Sequence, residues 1–128
     1  MPLRQGPVLL VDDDDVSRAL MAEVLRGAGH TVLEATGADP AMACWQQHDL
    51  AAVISDRHMP GGDDGPALLA RIQADARAHG RAVPACVLCT GSPDEQSAAG
   101  LDAVLTKPVR PQDLHATLAA LGVLPASG

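Results

Sequence analysis

A chain of 128 residues has room for one hydrophobic core and little for a second. Its hydrophobic fraction of 47% and charged fraction of 20% are those of a folding globular domain, and its formal net charge of −7 argues against a nucleic-acid partner, whose phosphates call for clustered Lys and Arg. No apolar run approaches the roughly 18 residues of a membrane span, and Met1 to Gly6 lacks the apolar core of a signal peptide. A single cytoplasmic domain over residues 1–128, with its core at about 7–124, no membrane insertion and no disulfide framework from three cysteines, is therefore expected. With one Trp and no Phe or Tyr, its core must be aliphatic.

Val8 to Val11 is a continuous apolar run that stops at four aspartates, the pattern of a strand buried on both faces of a parallel sheet. Val16, Leu20, Met21, Val24, Leu25 and Ala28 then recur at helical spacing, with Asp14 or Asp15 as N-cap and Gly29 as the stop. Residues 31–35 and 51–55 read as strands two and three, separated by an Ala-rich helix over 38–47. Pro66 suits a first helical turn, and Leu68, Leu69, Ile72 and Ala76 make the apolar stripe behind it, up to Gly80. Residues 83–89 and 103–106 read as strands four and five, and Pro111 opens a last helix with Leu114, Leu118 and Leu121 on its core face. Residues 92–100 offer few apolar positions, so the fourth helix, between strands four and five, should be short or irregular. Only the ends, 1–7 and 125–128, look loose.

Five strands alternating with helices imply an α/β fold, a doubly wound parallel sheet with right-handed crossovers and sites at the carboxyl ends of the strands. Asp12 and Asp13 follow strand one, Asp56 strand three, Thr90 strand four and Lys107 strand five, so all five converge on one edge. Three carboxylates this close repel one another unless a cation joins them, and an all-oxygen set suits Mg2+. A lysine and a hydroxyl beside them complete a site able to receive a phosphoryl group on a carboxylate.

Val8-Leu-Leu-Val-Asp-Asp, Ile54-Ser-Asp-Arg-His-Met-Pro60, Cys89-Thr-Gly and Leu105-Thr-Lys-Pro108 together resemble the four signatures of response-regulator receiver domains. The resemblance covers nearly the whole chain and implies a flavodoxin-like receiver fold. It further implies that Asp56 accepts a phosphoryl group from a histidine kinase or histidine phosphotransfer protein, in a Mg2+-dependent reaction. Asp12, Asp13, Asp56 and the backbone carbonyl of His58 would hold the metal. Thr90 and Lys107 would meet the phosphoryl group, and Pro108 would follow a cis peptide bond. Residues 12–18 and 56–60 look more like receivers attached to hybrid sensor kinases than like free-standing regulators.

Simpler readings stand beside these. Asp14 and Asp15 read as helix caps. Cys86 and Cys89 share an apolar strand, where residues three apart face opposite ways, so they read as buried hydrophobes and not as a redox or zinc pair. His30, His48, His79 and His115 read as solvated surface, the ring of His58 as the rim of the pocket, and Trp45 as a core or half-buried anchor. Val11-Asp-x-Asp-x-Val16 also resembles the first motif of haloacid-dehalogenase-type phosphatases, into whose later motifs Thr90 and Lys107 could be forced. That family needs an acidic site after the lysine, where only Asp113 follows. A pseudo-receiver that binds without being phosphorylated is the third reading, and the intact set of five residues opposes it. Two departures from the receiver pattern stand out: Met59 to Gly65 holds one residue too many, and Val104 replaces an aromatic ring that usually moves with the threonine, so switching is expected in residues 90–100.

Overall fold

The computed structural model describes residues 3–58, 64–91 and 100–125. The expected fourth helix, the switching segment and the long turn after the third strand fall largely on 92–99 and 59–63, outside the described residues. Five parallel strands, β1 (Val8–Val11), β2 (Val32–Ala35), β3 (Ala52–Asp56), β4 (Ala85–Thr90) and β5 (Ala103–Thr106), form one sheet in the order β2-β1-β3-β4-β5. The helices among the described residues are α1 (Asp15–Gly27), α2 (Ala38–Gln47), α3 (Gly65–Ala78) and α4 (Pro111–Ala120). Strand four begins at Ala85 and not at residue 83, because Pro84 has no N–H to give a ladder.

The unbroken apolar strands are explained by helices on both faces. Leu9 and Val11 point toward α2 and α3, into a cluster with Trp45, Leu68, Leu69 and Ile72. Val8 and Leu10 point the other way, toward Ala22, Leu25, Leu114 and Leu118 of α1 and α4. Cys86 and Cys89 divide between the two layers as strand alternation requires, and burial pushes both thiols up to about 12. Trp45 is fully buried, with its indole N–H donating to Asp75 Oδ2 of α3 (2.7 Å) and the Arg81 guanidinium 3.8 Å from its ring centroid.

Three expectations are corrected. Val16 and Leu20 do not face the core: they are 67% and 60% exposed, and Ala22 and Leu25 are the residues α1 buries. The apolar stripe of α1 is wider than its contact with the sheet, and its outer margin borders a groove next to Val109 and Pro111. His30 is buried, not solvated. Gly29 takes φ 97° after α1, its N–H donates to Arg26 O and the His30 N–H to Leu25 O, a closure that folds His30 back under the helix. Finally, residues 3–7 are not a loose end, since the Arg4 N–H donates to Gly122 O (2.7 Å) and the Leu124 N–H to Arg4 O (3.1 Å).

Candidate phosphoacceptor site

The strand order reverses direction at β1, so the chain leaves neighbouring β1 and β3 toward opposite faces and a crevice opens between their carboxyl ends. Val11 is in register with Ser55, which sets Asp12 beside Asp56. Asp12, Asp13 and Asp56 each bring a carboxylate oxygen to within 4.8 Å of the others. Asp12 is buried, Asp13 exposed and Asp56 intermediate, so the cluster opens to solvent on one side.

Asp12 is the most constrained of the three. Its N–H donates to Ala35 O of β2 (3.1 Å) and its Oδ1 accepts from the Asp14 N–H (2.9 Å). Burial raises its pKa above the ordinary carboxylate value; the Asp14 N–H opposes this, Asp56 and Asp13 add to it, and Lys107 offsets part of it. Asp14 itself caps α1, accepting from the Ser17 N–H, as its sequence position suggests.

Lys107 Nζ lies 2.6 Å from Asp56 Oδ1, across the end of β4. Burial disfavours the ammonium, but the hydrogen bond and charge of Asp56, with Asp12 behind it, outweigh that and hold its pKa above the ordinary lysine value. The Lys107 backbone N–H donates to Thr90 O (2.8 Å), which ties the threonine to the lysine, and Thr90 itself is buried. The Lys107–Pro108 peptide is cis. His58 is exposed at the end of the described run that follows Asp56.

Gly65 is a residue of this site whose role its sequence position did not reveal. A Cβ there would lie 2.2 Å from Asp56 O and 3.0 Å from Arg57 Cα, so α3 can start against the end of β3 only because residue 65 has no side chain. The signal was present as the Gly ahead of Pro66 at the start of the helix, but it read simply as the end of a turn.

A doubly wound parallel sheet with a carboxylate cluster, a lysine and a buried threonine at one edge is the architecture of a small phosphoryl-handling domain. Residues 8–119 match the model of the response regulator receiver domain, and the chain belongs to that family, the modules that relay phosphoryl groups in two-component signalling. Over 125 residues it is 34% identical to the sensory/regulatory protein RpfC of Xanthomonas campestris, a match covering 94% of this chain and 17% of that protein. It is 34% identical over 119 residues to the sensor histidine kinase AruS of Pseudomonas aeruginosa, covering 90% of this chain and 12% of the relative. The receiver domain from the hybrid histidine kinase CckA superposes with a TM-score of 0.74 at 29% identity, covering 91% of this chain and 99% of that one. The chain thus spans less than a fifth of the length of each of these two curated relatives. The family match sets aside the phosphatase reading, and no helix among the described residues is long and apolar enough to cross a membrane.

Proposed function

We propose that Asp56 is the phosphoacceptor and that Asp12, Asp13, Asp56 and the backbone carbonyl of His58 hold the Mg2+ that the transfer requires. The single observation that carries this reading is the contact of Lys107 Nζ with Asp56 Oδ1 at 2.6 Å inside a group of three carboxylates. Those three supply oxygen only, the donor set that a hard divalent cation takes. When bound, the ion contributes positive charge beside the phosphoryl oxygens.

The chain's own residues do the rest. An Asp56 carboxylate oxygen attacks the phosphorus of a phosphohistidine, the P–N bond breaks, and its electron pair returns to the donor imidazole. Lys107 neutralises charge that develops on Asp56 and the phosphoryl group, and the Thr90 hydroxyl donates to a phosphoryl oxygen. The domain thereby promotes its own phosphorylation, and attack of water on the acyl phosphate reverses it. The donor is a histidine kinase or a histidine phosphotransfer protein. Likeness to sensor kinases of much greater length supports a place for residues 1–128 as one cytoplasmic receiver domain of a hybrid kinase.

Incubation with acetyl phosphate, with and without Mg2+, tests this by mass spectrometry. One hydroxylamine-labile phosphoryl group should appear with the metal alone, and none in Asp56→Asn. Label that resists hydroxylamine, or that persists in the variant, would sink the assignment.

A further inference from the structure

Arg18, on the first turns of α1, makes three hydrogen bonds, to the loop after β1, to β2 and within its own helix. Its Nη1–H donates to the backbone carbonyl of Asp12 (2.9 Å), its Nε–H to Glu34 Oε1 of β2 (3.2 Å) and its Nη2–H to Asp15 Oδ1 (2.8 Å). Only 14% of its side chain is exposed, unusually little for a charged residue near a helix start. A guanidinium held in a fixed fork by three acceptors sets the relative positions of those acceptors, which a flexible ammonium cannot do.

The acceptor that matters is Asp12 O. The peptide unit is planar, so a hydrogen bond on the Asp12 carbonyl also fixes the Asp13 N–H and the direction in which the chain reaches the Asp13 Cα. Asp12 is already held at its N–H by Ala35 O and at its carboxylate by the Asp14 N–H. Arg18 supplies the remaining restraint, on the peptide joining the two acidic residues. A general role in docking α1 on β2 does not need this contact, because Arg26 makes that tie separately, with Nη2 on Glu34 Oε2 (3.1 Å) and on Val32 O (3.0 Å).

We infer that Arg18 is the positioning residue of the acidic pair, presetting the Asp12–Asp13 peptide so that the two carboxylates stand ready for a divalent cation. The inference rests on the metal role proposed above for Asp12 and Asp13. Groups that orient metal ligands without touching the metal typically govern affinity by 10- to 100-fold, and a contact made through the backbone belongs at the lower end.

The test measures three quantities on the whole chain: the Mg2+ dissociation constant by calorimetry, the thermal midpoint in chelator, and the initial rate of phosphorylation by acetyl phosphate across a Mg2+ series. Arg18→Gln should raise the dissociation constant about tenfold while the rate at saturating Mg2+ stays within about twofold of the parent. Arg18→Lys, which keeps the charge and one donor direction, should show a smaller rise and guards against loss of folding in the glutamine variant. Arg26→Gln should lower the midpoint and leave the dissociation constant unchanged. An Arg18 variant that melts earlier but binds Mg2+ like the parent overturns the inference, as does an Arg26→Gln that weakens binding equally. A parent chain that binds no Mg2+ overturns the metal reading itself, and this inference with it.

Discussion

Gly65→Ala is expected to destabilise the domain by about 2 kcal/mol. The added Cβ would sit 2.2 Å from Asp56 O, more than an ångström inside the 3.4 Å at which ordinary contact begins. Neither side can yield easily. Asp56 belongs to β3, the Arg57 N–H is hydrogen-bonded to Cys89 O, and the Gly65 N–H is hydrogen-bonded to Arg57 O, so the strand end and the helix start are fastened to each other (2.9 Å each). Relieving the clash means shifting backbone, for which overpacking in a rigid site costs about 1–3 kcal/mol, while the gain from alanine at a helix start is a few tenths of that. For a chain of this size each kcal/mol moves the midpoint by about 4 °C, so a fall of about 8 °C should be seen by circular dichroism. Gly27→Ala is the matched control. Gly27 closes α1 with nothing within 4 Å of its would-be Cβ, and alanine there should be neutral or stabilising by up to about 1 kcal/mol. If Gly65→Ala unfolds within 0.5 kcal/mol of the parent, a loss of about 2 kcal/mol from backbone collision is the wrong explanation.

Two solution properties should follow from burial. Cys86 and Cys89, with thiols pushed up to about 12, should stay unmodified in native protein at pH 8 under a thiol reagent, and Cys44 alone should react; two labels per folded chain would contradict the packing. Burial, with a smaller contribution from His115, lowers the His30 pKa below 6.5. A depressed histidine stabilises the fold above its unfolded value and loses that contribution as pH falls through its folded value. The midpoint should therefore drop more between pH 7.5 and 5 in the parent than in His30→Leu, and equal drops would exclude His30 as the cause.

Much of the fold was legible because the sheet is parallel and covered on both faces. Such strands need no alternation, so short apolar runs stopped by Asp, Thr or Lys marked both the strands and the edge where the site lies. The candidate site residues were legible for the same reason: each closes a strand or lies within two residues of its end, and the register of β1 on β3, β3 on β4 and β4 on β5 brings them to one edge. What periodicity could not supply was the width of a contact. In α1 the positions 16, 20, 21, 24, 25 and 28 all satisfy helical spacing, yet the sheet and α4 bury Ala22 and Leu25, cover Met21 and Val24 in part and leave Val16 and Leu20 exposed. Small Ala22 was passed over because a hydrophobicity pattern favours large side chains, while a helix packs closest where its side chains are small. Arg18 and Gly65 escaped because the contact that matters at each is with a backbone carbonyl, Asp12 O and Asp56 O, which leaves no trace in residue type.

His30 was misplaced for a more general reason. Gly29, Gly80 and Gly122 follow α1, α3 and α4, and reading Gly29 and Gly80 as stop signals uses only half of what such a glycine implies. In each case the N–H of the next residue returns to a carbonyl of the last turn: His30 to Leu25 O, Arg81 to Ala76 O and Val123 to Leu118 O. That return bond pulls the following residue back against its helix, whatever its polarity. Val123 is buried there, Arg81 lies over the face of Trp45 and reaches His48 O, and His30 enters the layer between α1 and α4. The residue after a helix-ending glycine should therefore be assigned to the interior before its chemistry is considered. Applied to this chain, that rule places His30 in the interior and Arg81 half-buried against Trp45, where polarity alone puts both in solvent.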